Sequence, residues 1–321
     1  MTDTVLSSVE DAGISRQALH RASGGGLSLA LALGFFDESE DSEEIPGATY
    51  TVAGFVANNN TSACLELNWQ GLLTEYNLDY FKASELSAGE GQFRQYRDNP
   101  NCPQWTPFTK REKSKFDEIK IAFTSLIEQY SGHMNATGAV VVLPDYERIL
   151  RDYQPAAQVL SAHPYYLAAE TVMMEAGLLI TLENHRYNRP DRQLDLRPVF
   201  DSHEEHSGRF KAIFDDFRRN NPLASRHLLP PHYEDDKKYL SLQVADNIAF
   251  EIRKYVISTL GKGMPVRKSL ERIKKAFVRV YRLDYYALKL IVDANIADPN
   301  GPSVLQPLSY TLEDIMQLYL H

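Results

Sequence analysis

Two acidic motifs that lie far apart in this chain of 321 residues could do chemistry together. The first, Asp37-Glu38, ends an apolar run, and the second places Gln243 and Asp246 three residues apart in a helical pattern. A further acid, Asp201, ends another apolar segment. Carboxylates that share a site repel one another, and their pKa values rise unless a cation neutralises them. Because such oxygen ligands suit Mg²⁺ or Mn²⁺, the pattern predicts a divalent-metal site.

Strand patterns place two of these acids at one edge of a sheet. Residues 28–36 are a continuous apolar run, as expected of a strand buried on both faces, and residues 49–57 are rich in β-branched and aromatic side chains. Residues 194–201 predict a third strand, although Pro198 cannot donate to a ladder and favours a shorter strand over 199–201. Ligands of open α/β sheets gather where strands end, so the acids that end the first and third strands are expected to meet.

Helical spacing accounts for much of the remaining chain. It predicts helices over residues 62–76, 113–130, 165–184, 206–219 and 240–258, with a buried strand over 136–143. On the last helix, Gln243 and Asp246 share one face and can point together at the sheet edge. Residues 87–109 are rich in Gly, Gln, Asn and Pro and predict a long loop. The whole predicts a mixed sheet that begins with a hairpin and is covered by helices.

The amino-acid composition limits the classes of protein to which this chain can belong. A hydrophobic content of 43% allows a real core, and a formal net charge of -9 at pH 7 argues against binding of nucleic acid over the whole surface. The two cysteines cannot form a disulfide framework, which favours the cytoplasm. Residues 27–36 are too short an apolar run to cross a membrane, and no convincing cleavage site follows. No residue indicates an oligomeric state.

The motifs resemble a large bacterial and phage family known as domain of unknown function 3800. Its marks are an Asp-Glu motif after the first strand and a Gln-x-x-Asp motif in a late helix, here Asp37-Glu38 and the segment 243–246. Segments 50–56, 81–85 and 199–201 also fall where similar segments occur in that family, although it often has glycine at the place of Glu40. The resemblance implies a ribonuclease H-like α/β fold, and it implies that Gln243 orients a ligand or contacts substrate.

The resemblance further implies a metal-dependent phosphodiester hydrolase, with one or two Mg²⁺ or Mn²⁺ ions and nucleic acid, DNA or RNA, as substrate. Asp37, Asp201 and Asp246 would be the metal ligands. Glu38 or Glu85 would complete the coordination shell of the metal. Several acids and no histidine nucleophile are what metal-assisted hydrolysis requires. The family also suggests an origin in mobile elements or phage defence.

A basic stripe near the end of the chain offers a second contact with nucleic acid. Helical spacing over residues 267–282 predicts one positively charged face, made of Lys268, Arg272, Lys275, Arg279 and Arg282. Such a face could contact phosphates, or it could simply be solvated.

The predicted organisation is a flexible lead-in over residues 1–26, a ribonuclease H-like domain over 27–260 and a helical C-terminal extension over 261–321. Two other functions stay open. The fold could serve as a nucleic-acid or protein binding module without catalysis, or the paired acids could hydrolyse another bond, such as a glycoside.

Overall fold

A computed structural model describes residues 31–40, 48–97, 115–161, 163–187, 193–202, 213–262 and 267–297. The predicted lead-in, the second part of the predicted loop over 87–109, and the first part of the predicted helix over 206–219 lie outside the described residues.

A six-stranded mixed sheet forms the centre of the fold. Its strands are β1 (Leu31–Glu40), β2 (Thr49–Asn58), β3 (Met134–Val142), β4 (Asp195–Asp201), β5 (His232–Glu234) and β6 (Phe277–Leu283). They lie in the order β5-β4-β1-β2-β3-β6. The ladders β1–β2 and β2–β3 are antiparallel, whereas β4 and β5 extend the sheet from β1, and β6 extends it from β3, in parallel. The predicted hairpin of the first two strands is confirmed.

Helices cover both faces of this sheet. The longer ones are α1 (Asn59–Glu75), α2 (Ala83–Ala88), α3 (Lys115–Tyr130), α4 (Leu143–Asp152), α5 (Pro164–Tyr187), α6 (Leu240–Lys262), α7 (Lys268–Ile273) and α8 (Tyr285–Ala297). Short helical turns lie at Gly91–Phe93, Arg94–Arg97, Ala156–Val159, Pro222–Ser225 and Lys274–Ala276, and residues 213–220 are also helical. The architecture is therefore α/β, with a mixed sheet flanked by helices.

Strand residues alternate between two hydrophobic cores, one on each face of the sheet. Phe35 packs in the core formed with α1, α3, α6 and α7, which we call the α6 face. Its neighbour Phe36 packs in the core formed with α4, α5 and α8, which we call the α5 face. Because side chains of a strand alternate and both faces are covered, the strand sequences are apolar almost throughout. This is why the first two strands are recognisable as continuous apolar runs.

Pro198 lies inside β4 rather than before it. The strand pairs with β1 on one side over Leu196, Pro198 and Phe200, among others, so the predicted restriction to residues 199–201 is wrong. On the other side, β5 pairs only with Val199 to Asp201. A proline that donates no hydrogen bond is accommodated there because the short β5 ladder does not reach it.

Two other predictions need correction. β1 continues beyond Phe36 to Glu40, so Asp37 lies within the strand and not at its last residue. Residues 277–283, which were assigned to a helical extension, form β6 and join the central sheet beside β3. Val280, Tyr281 and Leu283 are buried where this strand pairs with β3.

One helix, α5, is apolar and long enough to cross a membrane by length and composition. However, 72% of its most apolar window is buried inside the protein. Core helices of soluble proteins pass the same test when they pack against a sheet, as α5 does.

Gly54 allows β2 to approach β1 closely, because a Cβ atom there would lie 1.7 Å from the backbone carbonyl oxygen of Phe35. We predict that Gly54→Ala lowers the free energy of unfolding by about 3 kcal/mol or more, since backbone atoms cannot move aside cheaply. The matched control is Gly71→Ala on α1, where a Cβ meets no atom within 4 Å. It should stabilise the helix by about 0.5–1 kcal/mol. Equal urea unfolding curves for the two variants would contradict this prediction.

Candidate metal centre

The parallel pair β1 and β4 brings two of the predicted acids side by side. Phe35 pairs with Val199, and Asp37 and Asp201 lie two residues further along each strand. Phe35 and Val199 both belong to the core of the α6 face. Since side chains alternate along a strand, both aspartates project toward that face as well. Asp37 is 1% exposed and Asp201 is 9% exposed.

A third acid, Asp236, joins them from the loop after β5. The carboxylate oxygens of Asp37, Asp201 and Asp236 lie within 4.8 Å of one another, and all three residues are buried. The backbone N–H of Asp236 donates to Asp201 Oδ1 at 3.1 Å, which fixes the loop against β4. These three residues and Asp246 are called the carboxylate cluster below.

Asp246 reaches the cluster from α6, the helix that lies across β1 and β2. Its Oδ2 accepts a hydrogen bond from the backbone N–H of Ala83 at 2.6 Å. Its Oδ1 lies 3.8 Å from Lys82 Nζ. The two distant motifs therefore meet through residues 82–83. Within the described chain, the three acids whose oxygens lie within 4.8 Å of one another include Asp236 and not Asp246, which the sequence predicts as a metal ligand.

Lys82 is the cation that the cluster contains in the absence of metal. Its Nζ lies 2.6 Å from Asp236 Oδ2 and 3.9 Å from Asp37 Oδ2. Burial disfavours its charge, but Asp37, Asp246 and Asp236 more than offset this and raise the pKa of Lys82 above its ordinary value. One ammonium faces four carboxylates, so the cluster has an excess of negative charge whenever all its acids are ionised.

Burial and the neighbouring negative charges raise the pKa values of three of these acids. Burial raises the pKa of Asp37 well above its usual range, and the charge of Glu38 raises it further. Burial likewise raises the pKa of Asp201. Burial also raises the pKa of Asp246 to about 6. Desolvation is the largest cause in all three cases, so these carboxylates occupy a site where a divalent cation would be strongly stabilising.

One oxygen of the cluster makes no hydrogen bond in the described parts of the chain, although Lys82 Nζ lies 3.9 Å from it. Asp37 Oδ1 accepts from the backbone N–H of Glu38 at 2.8 Å. The buried Oδ2 of the same carboxylate has no hydrogen-bond partner within the described parts of the chain. A buried oxygen of this kind calls for a ligand. Together with the carboxylates of Asp201 and Asp236 it offers hard oxygen donors, which fit Mg²⁺ or Mn²⁺ and not a zinc site of nitrogen and sulfur.

Gln243 holds the segments around the cluster in place, and its side-chain oxygen and nitrogen both form hydrogen bonds with other residues. Its Oε1 accepts from the indole N–H of Trp69 at 3.1 Å and from the backbone N–H of Phe81 at 2.9 Å. Its Nε2 donates to the backbone carbonyl oxygen of Asp236 at 3.0 Å. One fully buried amide therefore ties the segment that carries Lys82 to the loop that carries Asp236.

Two predicted acids lie outside the carboxylate cluster. Glu38 follows Asp37 on β1, so its side chain is directed to the α5 face, where its charge contributes to a raised pKa of Tyr165. Glu85 on α2 accepts from the hydroxyl of Tyr80 at 3.0 and 3.1 Å. Within the described chain, neither carboxylate is one of the three that approach within ligand distance of one another.

The sequence interpretation missed Asp236 and Lys82. Lys82 lies in the segment 81–85, in which only the acid Glu85 is predicted from the sequence to belong to the site. Asp236 follows a strand of three residues, too short for an alternating pattern, and precedes α6 by a few residues. An acid placed just before a helix that already carries Gln243 and Asp246 was the available signal.

The five predicted basic residues do not share one face. Their positions are Lys268 and Arg272 on α7, Lys275 in a helical turn, and Arg279 and Arg282 on β6. Arg279 and Arg282 are three residues apart in a strand, so they are directed to opposite faces of the sheet. Arg279 also lies 3.4 Å from the carboxylate of Glu175. The predicted continuous helix is wrong, and with it the predicted basic stripe.

None of the known protein-family models matches this chain, and a search of curated proteins found no match.

We predict that Gln243→Leu lowers the free energy of unfolding by about 2–4 kcal/mol, because the buried N–H groups of Trp69 and Phe81 lose their acceptor. The exposed residue Gln70 on α1 provides the control, since Gln70→Leu leaves no buried donor unpaired. Urea unfolding of both variants measures the difference. A Gln243→Leu variant as stable as Gln70→Leu would contradict the role of this amide.

The raised pKa of Asp246 predicts that the metal-free protein loses stability as pH rises. The folded chain binds more protons than the unfolded chain between about pH 4 and pH 6, so the free energy of unfolding falls through that window. Between pH 5 and pH 7 this group should contribute a loss of about 1 kcal/mol. Because Asp37 and Asp201 also have raised pKa values, urea unfolding in EDTA should show a loss that is about 1 kcal/mol smaller in Asp246→Asn than in Asp79→Asn, an exposed control. Equal pH dependence in both variants would refute the assignment.

Proposed function

We propose that this protein is a divalent-metal-dependent nuclease, in which the carboxylate cluster holds Mg²⁺ or Mn²⁺ for hydrolysis of phosphodiester bonds. The observation that carries the proposal is the approach of the three buried carboxylates of Asp37, Asp201 and Asp236 to within 4.8 Å. Burial of like charges opposes folding, and apolar side chains would fill the same space at lower cost. Asp37, whose pKa burial raises well above its usual range, is therefore a candidate for function.

The residues of the cluster have separate roles in this proposal. Asp37, Asp201 and Asp236 hold the metal, which when bound supplies a water of lowered pKa and stabilises the leaving oxygen. Asp246 fixes the backbone of Ala83. Lys82, whose side chain is 29% exposed, is placed to contact a phosphate oxygen of the substrate.

The fold supports a ribonuclease H-like assignment as part of the same proposal. The mixed sheet begins with an antiparallel hairpin, and parallel strands carry Asp201 next to Asp37. The order and spacing of the motifs support membership of the domain of unknown function 3800 family, with nucleic acid as substrate, a cytoplasmic location and an origin in mobile elements or phage defence.

A binding module without catalysis is the second candidate, and the position of Lys82 favours it. Its ammonium already contacts Asp37, Asp236 and Asp246. In that case the lysine is the permanent counter-ion of the cluster, and the acids hold the segment before α2 in place.

Thermal melting with EDTA, Mg²⁺ or Mn²⁺ separates the two candidates. We predict that Mn²⁺ raises the melting temperature of the native chain by several degrees, because a ligand at about 100 times its Kd stabilises by about 2.7 kcal/mol. Asp37→Asn and Asp236→Asn should not respond. Asp235→Asn is the matched control, since Asp235 is the neighbouring acid and pairs with Lys238 at 3.2 Å instead of entering the cluster. It should respond like the native chain.

If metal changes the melting temperature of neither the native chain nor any of the three variants, the nuclease proposal fails and the binding module replaces it. If the expected pattern appears, cleavage of single-stranded and double-stranded DNA and RNA is assayed with the same variants. Activity that persists in EDTA would also overturn the role given to the metal.

A further inference from the structure

A cavity of about 290 Å³ lies beside the carboxylate cluster, on the α6 face of the sheet. Its walls come from α2, the first turns of α3, α6 and the residue before α7, and the members used below are Phe81, Phe116, Lys120, Asn247, Phe250 and Arg267. Its volume is at the lower limit of small-ligand sites, which run from about 300 to 1,000 Å³. It therefore suits one small group and not an extended polymer.

Asn247 lines this cavity, and its buried amide nitrogen makes no hydrogen bond with the described residues. The residue is 2% exposed, and its Nδ2 has no partner among the residues that the structure describes. A buried amide N–H that donates to nothing costs free energy, so such groups are normally paired or await a ligand. A ligand of this cavity should therefore carry an acceptor, such as a carbonyl oxygen or a ring nitrogen.

Two acids face the two cations of the cavity, because Asp117 lines it together with Glu251. Glu251 lies 2.8 Å from Lys120 and 3.8 Å from Arg267, and its other carboxylate oxygen accepts from Ser269 at 2.6 Å. An anionic ligand would have to compete with Glu251 for these two cations. The arrangement favours a neutral ligand.

Aromatic rings form part of the apolar lining of the cavity, beside alanine and leucine side chains. Phe81, Phe116 and Phe250 all line it, and the guanidinium of Arg267 lies 5.7 Å from the centroid of the Phe250 ring. Flat rings and a guanidinium plane are the surfaces on which nucleobases stack. A planar, neutral group with a hydrogen-bond acceptor matches this lining.

The cavity and the carboxylate cluster share their walls. Ala83 lines the cavity, and its backbone N–H donates to Asp246. Asn247 follows Asp246 directly on α6. A nucleic-acid strand with one phosphate at the cluster would therefore bring a neighbouring base to the cavity.

We propose that this cavity receives one unpaired nucleobase of a single-stranded substrate, with the amide of Asn247 donating to the base and Phe250 packing against it. The inference rests on the proposed nuclease function and gives it a substrate class. A paired base inside a duplex cannot enter such a cavity without leaving its stack. Selection of unpaired bases follows from the shape of the site.

Calorimetric titration of the full chain in EDTA tests the proposal with the four common nucleoside 5′-monophosphates. Ribose 5-phosphate is the matched probe, since it has the same sugar phosphate and no base. We expect at least one nucleotide to bind about tenfold more tightly than ribose 5-phosphate, because only the base makes the stacking contact. Asn247→Leu should weaken that binding about five- to tenfold, through loss of one hydrogen bond. Phe250→Leu should weaken it about tenfold.

Asn295→Leu on α8 is the control, because Asn295 donates only to the backbone carbonyl of Ile291 and its helix packs on the α5 face. It should bind as the native chain does. The proposal is overturned if no nucleotide binds more tightly than ribose 5-phosphate, or if Asn247→Leu and Phe250→Leu both bind like the native chain. Because EDTA is present, this result is independent of the metal titration. A protein that responds to Mn²⁺ but binds no base loses only this inference.

Discussion

Burial of four carboxylates around one lysine is the constraint on which the candidate site depends. In water these groups would be solvated and far apart, whereas here the side chains of Asp37 and Asp246 are almost fully enclosed. Their mutual repulsion and desolvation have to be offset by the rest of the fold. Lys82 provides part of the compensation, and its pKa is raised because three of these acids surround it. The negative charge that Lys82 does not neutralise is the physical reason to expect a divalent cation at this place.

The fold holds these charges together through apolar packing and one buried amide. Strands β1 and β4 are covered on both faces, so Asp37 and Asp201 cannot turn away from the α6 face without exposing apolar neighbours. Gln243 then connects the two irregular segments that carry Lys82 and Asp236. Every member of the site that lies on a loop is thus fixed by hydrogen bonds to a member on a helix or strand. Such anchoring is what a preorganised site requires.

In the proposed nuclease, the position of the cavity beside the cluster would connect chemistry with recognition. Residues 82–83 and 246–247 contribute to both, because each pair places one residue toward the carboxylates and the next toward the cavity. Because neighbouring residues of the same two segments form the cavity and the cluster, a substrate bound in the cavity would lie at a fixed position relative to the cluster. Enzymes commonly accelerate a reaction by binding a remote part of the substrate, which places its reacting group in the correct position.

The sequence by itself determined the apolar strands β1 and β2 and the long helices α5 and α6, because burial periodicity is a local property of the chain. It also singled out Asp37, Asp201 and Asp246, whose role as metal ligands stays a prediction. It misassigned β6, since Arg279 and Arg282 fit a helical spacing as well as a strand that pairs only with the distant β3. Asp236 and Lys82 became recognisable only in three dimensions, because each lies in a segment without periodicity. Their positions are decided by long-range contacts that no local pattern records. Asp236 bonds to Asp201, and Phe81, the neighbour of Lys82, bonds to Gln243.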